Sequence, residues 1–348
     1  MLKLGVIEGF FGPQWPLADR LSYASFLRKY GGDFYIYAPK QDSFLRKKWR
    51  EPWSSEYKTY LRKIGSTFHK ENISFGVGFS PFEIGLNLSL EDRRHLEAKL
   101  RTFNDMQIDL LGLFFDDMPV GHNLAKAQIE AVSLVMDYFK GKILFCPSYY
   151  SPDPILDKVF GQRPEGYLEE IAYALPPEVS IAWTGPKVIS PDLPLEHMKE
   201  TRALLRRKPF IWENLYANDG PKNCKFLKLK YFGGRSTSSL EEAEACGLNM
   251  LNQPQLSKIL FLSSKFVIQG ESEDQAFRQA LDELCSIEFR DFLLENRRVF
   301  LEEGLDSIPA EKKSLLLDHL PHLSDPAAIE VEAWLRGEYI VGSECLTD

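Results

Sequence analysis

The 348-residue sequence is poor in the residues that build metal and disulfide sites, with five cysteines and six histidines. Cys146, Cys224, Cys246, Cys285 and Cys345 form no CxxC pair, and no HxH or HxxxH combination occurs, so a zinc site built on such spacings is excluded and no metal or other cofactor is expected. The odd cysteine count fits reduced thiols better than a disulfide framework. No apolar run approaches the length of about eighteen residues that marks a membrane-spanning helix. The first residues lead straight into a strand-like run, without a basic n-region, an h-region or a cleavage site, so the expectation is a cytoplasmic protein. Basic clusters are short, the densest being Arg46-Lys-Lys-Trp-Arg50, and the net charge is -8, which argues against a nucleic-acid partner. The glycines at 5, 9 and 12 lack the spacing of a phosphate loop or a dinucleotide fingerprint. Repeats and low-complexity segments are also missing. Neutral or weakly polar substrates fit this balance best.

What the chain does have is apolar content, 44% hydrophobic and 13% aromatic residues, enough to bury a large core. Short β-rich runs recur at 2–7, 34–37, 73–79, 110–115, 142–146, 179–183, 209–212 and 248–251. Segments with helical apolar spacing lie between them, at 21–30, 57–69, 90–106, 125–139, 165–175 and 198–205. Eight strands alternating with helices predict a (β/α)8 TIM-type barrel, although a doubly wound sheet would produce the same pattern. From about residue 257 the pattern becomes helical only, at 275–289, 293–300, 311–317 and 327–334. The expected organisation is a catalytic barrel over 1–265 and a small C-terminal helical appendage over 266–348.

The run at 110–115 ends, with no polar transition, in Asp116 and Asp117. Carboxylates at the C-terminal end of a parallel strand stand where such folds place their chemistry. An Asp pair also arises when one Asp caps the next helix and the other faces solvent, so the remaining strand ends decide. All eight carry turn residues mixed with carboxylate, amide, lysine or aromatic groups, including Glu8 to Trp15, Ala38 to Asp42, Pro147 to Tyr150 and Glu213 to Asp219. Turns alone explain glycine and proline but not the aromatics, and a single convergent pocket explains both. Aromatic faces and paired amide and carboxylate groups suit a sugar. Adjacent carboxylates are awkward for flanking a glycosidic bond from opposite sides, and a substrate whose own 2-acetamido oxygen attacks C1 removes that difficulty. One Asp would then orient the amide N–H and the other would protonate the leaving oxygen. Two other readings stand beside this: a catalytically silent sugar-binding barrel, and an Mg²⁺ enzyme using the pair as ligands, which lacks a third neighbouring carboxylate.

Seven ordered motifs carry a resemblance. Gly5-Val-Ile-Glu-Gly-Phe-Phe-Gly12 with Trp15, Tyr35-Ile-Tyr-Ala-Pro-Lys40, Trp49-Arg-Glu-Pro52, Phe114-Phe-Asp-Asp-Met118, Cys146-Pro147, Trp183-Thr-Gly-Pro-Lys-Val188 and the stretch 212–219 together resemble family 84 of the glycoside hydrolases, the O-GlcNAcase and bacterial β-N-acetylglucosaminidase family. The resemblance runs from about residue 3 to residue 255. It implies a barrel enzyme that retains configuration, forms an oxazoline intermediate from the substrate's acetamido group and removes terminal β-linked GlcNAc, its partner being a GlcNAc-bearing glycoconjugate or glycosylated protein. By the same resemblance Asp116 orients the acetamido N–H and Asp117 is the general acid/base. Tyr150 is similar to the tyrosine that supports the acetamido oxygen, with Tyr149 beside it where the family often has an acidic residue. Gly9 and Lys40 resemble residues that contact sugar hydroxyls, Asp219 the one that grips O4 and O6, Trp212 and Asn214 the wall near the acetamido group and anomeric carbon, and Asn252 the hydroxyl-binding amide after the eighth strand. Gln41, Glu213 and Gln253 depart from the family pattern.

Overall fold

The structure is a computed structural model that describes residues 2–84, 88–117, 121, 123–342, 345 and 347. Eight parallel strands pair in chain order, β1 Lys3–Glu8, β2 Phe34–Tyr37, β3 Ser74–Phe79, β4 Leu110–Phe114, β5 Lys142–Cys146, β6 Ser180–Trp183, β7 Phe210–Glu213 and β8 Ala245–Asn249. β8 returns to β1 with Gly5 opposite Gly247, closing the barrel and removing the doubly wound alternative. Helices α1 Leu17–Tyr30, α2 Ser55–Lys70, α3 Leu90–Asp105, α4 Leu124–Tyr138, α5 Pro154–Phe160, α6 Tyr167–Ala174, α7 Leu195–Leu205 and α8 Thr237–Glu241 lie between the strands in sequence. With helices outside and side chains inside, strands are buried on both faces, which is why they read as continuous apolar runs. Two of these helices, α5 and α8, fall outside the expected set because they are only 7 and 5 residues long, each started by a side-chain cap from Asp153 or Ser236.

Inside the barrel a few large rings are matched by glycines. Phe34 meets Phe210 and Phe114 meets Trp212 across the interior, the latter pair edge to face at 4.9 Å. A Cβ at Gly5 would run into Phe34, one at Gly78 or Gly112 into Phe114, and one at Gly247 into Ile7 and Phe210. This exchange of small for large fills the interior to the density a protein core requires. It also sets Phe114 and Trp212 at a fixed height, just below the C-terminal mouth.

The eighth strand lies further toward the N-terminus than its hydropathy suggests. The expected run at 248–251 is replaced by Ala245–Asn249, because Ala245, Cys246 and Gly247 are too small to register as a strand although all are buried. The strand therefore ends at Asn249.

After it come α9 Pro254–Ile268, α10 Glu273–Leu284, α11 Ile287–Arg298, α12 Ala310–His319 and α13 Pro326–Leu335. The single helix expected at 275–289 is divided at Cys285, whose backbone is extended, and Ser286 starts the next helix by accepting the Phe289 N–H at 3.1 Å. One continuous hydrophobic cluster runs from the strands into α10, α11 and α13. No helix among the described residues is long and apolar enough to cross a membrane.

Glu330 of α13 caps a helix other than its own, taking the backbone N–H groups of Gln255 and Leu256 in the first turn of α9 at 2.7 and 2.9 Å. Burial pushes this carboxyl up to about 8 from an ordinary 4.5, against the opposing pull of those two donors and of Lys258. A raised folded-state pKa contributes stability that is complete at low pH and is lost as pH rises, since between the two values the unfolded chain has released a proton the folded one retains. The slope is at most about 1.4 kcal/mol per pH unit. Wild type is therefore expected to lose more thermal stability than Glu330→Gln between pH 5 and pH 8, and parallel midpoint curves would contradict this account.

Candidate active site

The C-terminal strand ends converge on one pocket of about 630 Å³, the open solvent at its mouth included. Asp116 and Asp117 follow β4 by two and three residues. Both reach the pocket because the chain has already left the sheet, with Asp117 in the left-handed region at φ 50°. Lys40, beyond β2, forms an ion pair with Asp116 and holds its Nζ 3.5 Å from Asp117 Oδ2. The remaining oxygens, Asp116 Oδ1 and Asp117 Oδ1, are buried and have no hydrogen-bond partner among the described residues. Buried acceptors without donors are costly, and a ligand's N–H or O–H would satisfy them.

The electrostatics separate the two carboxyls. Burial pushes Asp117 above the ordinary Asp range, Lys40 and Arg46 oppose that rise and Asp116 adds to it. Lys40 itself is disfavoured by burial, yet Asp116 and Asp117 hold its pKa above the usual lysine value. The cation lies closer to Asp116 than to Asp117, although it pairs with both. A proton is thus favoured on Asp117, beside a second carboxyl that carries the closer ion pair, an arrangement suited to acid catalysis.

Around this trio stand Gly9, Tyr150, Trp212, Asn214 and Asp219, all lining the pocket. Gly9 is required by close approach, since a Cβ there would lie 2.6 Å from Trp212 Cζ2. Tyr150 faces the pocket, whereas Tyr149 turns away, donating its hydroxyl to Gly161 O at 2.7 Å and packing edge-on against Tyr167. Asp219 accepts the Phe11 N–H at 2.9 Å, and burial raises its carboxyl to about 6 in spite of that donor. Glu213, which departs from the family pattern, is buried in a two-pronged ion pair with Arg235 at 2.8 and 2.9 Å and also accepts the Leu215 N–H. It braces the backbone on both sides of Asn214.

Asn252 is the candidate that does not line the pocket. Its side chain donates to Phe11 O at 2.8 Å and its backbone N–H to Asn218 Oδ1 at 3.0 Å, so it supports the loop after β1 from behind. Asn249 stands in the wall instead, accepting the Gly9 N–H and donating to Asn214 Oδ1 at 2.9 Å, while Asn214 donates to Val188 O. This amide chain ties the end of β8 to the loops after β1, β6 and β7. Phe11, Thr184 and Val188 also line the pocket and lay inside motifs already singled out; Cys345 and Thr347, far along the chain, carried no sequence signal. Among the described residues no group of three His, Cys, Asp or Glu side chains is placed to hold a metal ion.

The family model for beta-N-acetylglucosaminidases matches residues 4–295. The chain belongs to that family. The match passes beyond β8 and through α10 into α11, further than the motifs alone reach. Two relatives of this beta-N-acetylglucosaminidase-family chain, the proteins called Protein O-GlcNAcase in Rattus norvegicus and in Mus musculus, are each 32% identical to it over 249 residues, 67% of this chain and 26% of theirs. The chain thus spans about a quarter of the length of the curated relatives it matches. A solved variant of the Thermobaculum terrenum O-GlcNAc hydrolase superimposes with a TM-score of 0.79 at 25% identity, covering 96% of this chain and 80% of that one. A second solved structure, CpGH84B, gives 0.77 at 21% identity over 97% of this chain and 66% of that one, a likeness of fold.

Proposed function

We propose that this chain is a retaining, exo-acting β-N-acetylglucosaminidase of the O-GlcNAcase type, releasing terminal β-linked GlcNAc by substrate-assisted catalysis. The observation that carries this reading is the pair of carboxyls side by side in one pocket, each with a buried oxygen lacking a donor, and a lysine that lies closer to Asp116 than to Asp117. In the first step the acetamido oxygen bonds to C1 as the bond from C1 to the leaving oxygen breaks. Asp117 gives that oxygen its proton, and Asp116 accepts the acetamido N–H and stabilises the developing positive charge. Water then adds to C1, Asp117 takes its proton, and the oxazoline ring reopens with retained configuration. Tyr150 supports the acetamido oxygen, Trp212 and Asn214 wall the anomeric side, and Gly9 and Lys40 face the sugar hydroxyls. Asp219 grips O4 and O6, which leaves no room for a chain extended at O4. The substrate is a GlcNAc-bearing protein or glycoconjugate and the setting cytoplasmic, in keeping with five free cysteines.

Hydrolysis of an aryl N-acetyl-β-glucosaminide tests the reaction itself. Comparing a GlcNAc-terminated oligosaccharide, an internal chitin or hyaluronan polymer and an O-GlcNAc peptide tests the mode. Release of terminal GlcNAc without shortening of the polymer is the expected result; rapid internal cuts would overturn exo action. The acid limb of kcat/KM is expected near pH 6, where Asp219 takes up a proton and stops acting as a charged acceptor. Asp219→Asn should flatten that limb at a lower plateau, and an unmoved limb would assign it to another group.

A further inference from the structure

Arg46 belongs to the densest basic cluster of the sequence, yet it does not lie on a solvated face. Its guanidinium is buried and makes no ion pair with a carboxylate among the described residues. It is spent instead on backbone, with Nη2 donating to Asp117 O at 3.1 Å and Nη1 to Lys40 O at 3.5 Å, its Cζ 5.5 Å from the centre of the Phe11 ring. The two carbonyls belong to the residues that carry the acid and the cation of the pocket. A buried guanidinium without a carboxylate is expensive, so its retention at this point calls for a role. We propose that Arg46 is a positioning residue for the general acid: it holds the left-handed turn at Asp117 and locks that turn to the Lys40 loop, so that acid and cation keep one geometry through the reaction.

Three observations converge on this. Asp117 has φ 50°, a region that costs a non-glycine residue energy unless its surroundings hold it there. The guanidinium fork can bridge two carbonyls from two different loops, which a lysine ammonium, a point donor on a flexible stem, does less well. The positive charge also stands close enough to oppose the rise of the Asp117 pKa caused by burial. Arg46 touches the acid through its main chain and never the sugar, so its loss should alter how well the proton is delivered more than how well substrate is held.

The inference rests on the glycosidase reading, and the wild-type assay keeps the two apart: an inactive wild type refutes that reading, whereas an active one with unchanged Arg46 variants refutes only this proposal. Arg46→Met and Arg46→Lys are to be compared with wild type on aryl N-acetyl-β-glucosaminides of graded leaving-group ability. Arg46→Met should lower kcat by about 10- to 100-fold with KM changed little, most severely on poor leaving groups. Its basic limb should move to higher pH, since removing a nearby cation lets the acid keep its proton longer. Arg46→Lys keeps the charge and loses the fork, so kcat should fall while the limb stays where it is. A role confined to folding would lower the thermal midpoint and the active fraction, with leaving-group dependence and pH limb as in wild type. That result, in the Met variant or, should it fail to fold, a Lys variant with wild-type kcat, would overturn the proposal.

Discussion

Asp117→Asn is expected to slow the release of poor leaving groups by about 10²- to 10⁴-fold while sparing activated aryl glycosides far more. A poor leaving group cannot depart without a proton, and Asp117 is the carboxyl that burial and Asp116 hold above the ordinary range. Asparagine suits the test because it tolerates the left-handed backbone that Asp117 adopts, so the turn survives the substitution. The amide keeps the size of the carboxyl but has no acidic proton to give. Losses equal across leaving groups would move the acid role to another residue.

Asp116→Asn should act differently, depressing turnover of every leaving group by about 10²- to 10³-fold. The carbonyl of asparagine still accepts the acetamido N–H, but the charge that stabilises the forming oxazoline ring is gone, and Lys40 loses its nearest counter-ion. Cyclised, oxazoline-like inhibitors should weaken in step, because they resemble the charged species rather than the substrate. Unchanged inhibitor binding in this variant would count against the assignment. Together the two substitutions distinguish the proton donor from the fixed anion by chemistry alone.

Most of the barrel is written in the sequence as long, periodic apolar segments, and β2 and β5 lie where the hydropathy places them. What misled was the shape of small residues. Ala245, Cys246 and Gly247 form a buried strand without bulk, so hydropathy puts the eighth strand three residues late, and the resemblance puts the hydroxyl-binding amide at Asn252 beyond it. With the strand ending at Asn249, that residue enters the pocket and Asn252 supports the loop behind it. Tyr149 and Tyr150 pose the opposite case, since neighbouring tyrosines have equal composition and only the turn after β5 decides which faces inward. Arg46 was hidden for a third reason. Within a run of basic residues nothing local says which one is buried, and its partners are main-chain carbonyls, invisible to any motif.

The matching of glycines to rings inside the barrel bounds how this protein can vary. A methyl group at Gly112 or Gly78 would displace Phe114, and displacing Phe114 would move Trp212, the wall of the pocket. Positions below the pocket therefore share the intolerance of those that line it, and a catalogue of inactivating substitutions would extend well below the site itself. Heritable change in substrate preference is left to the loops above the strands, where a side chain can grow toward solvent without disturbing the rings beneath.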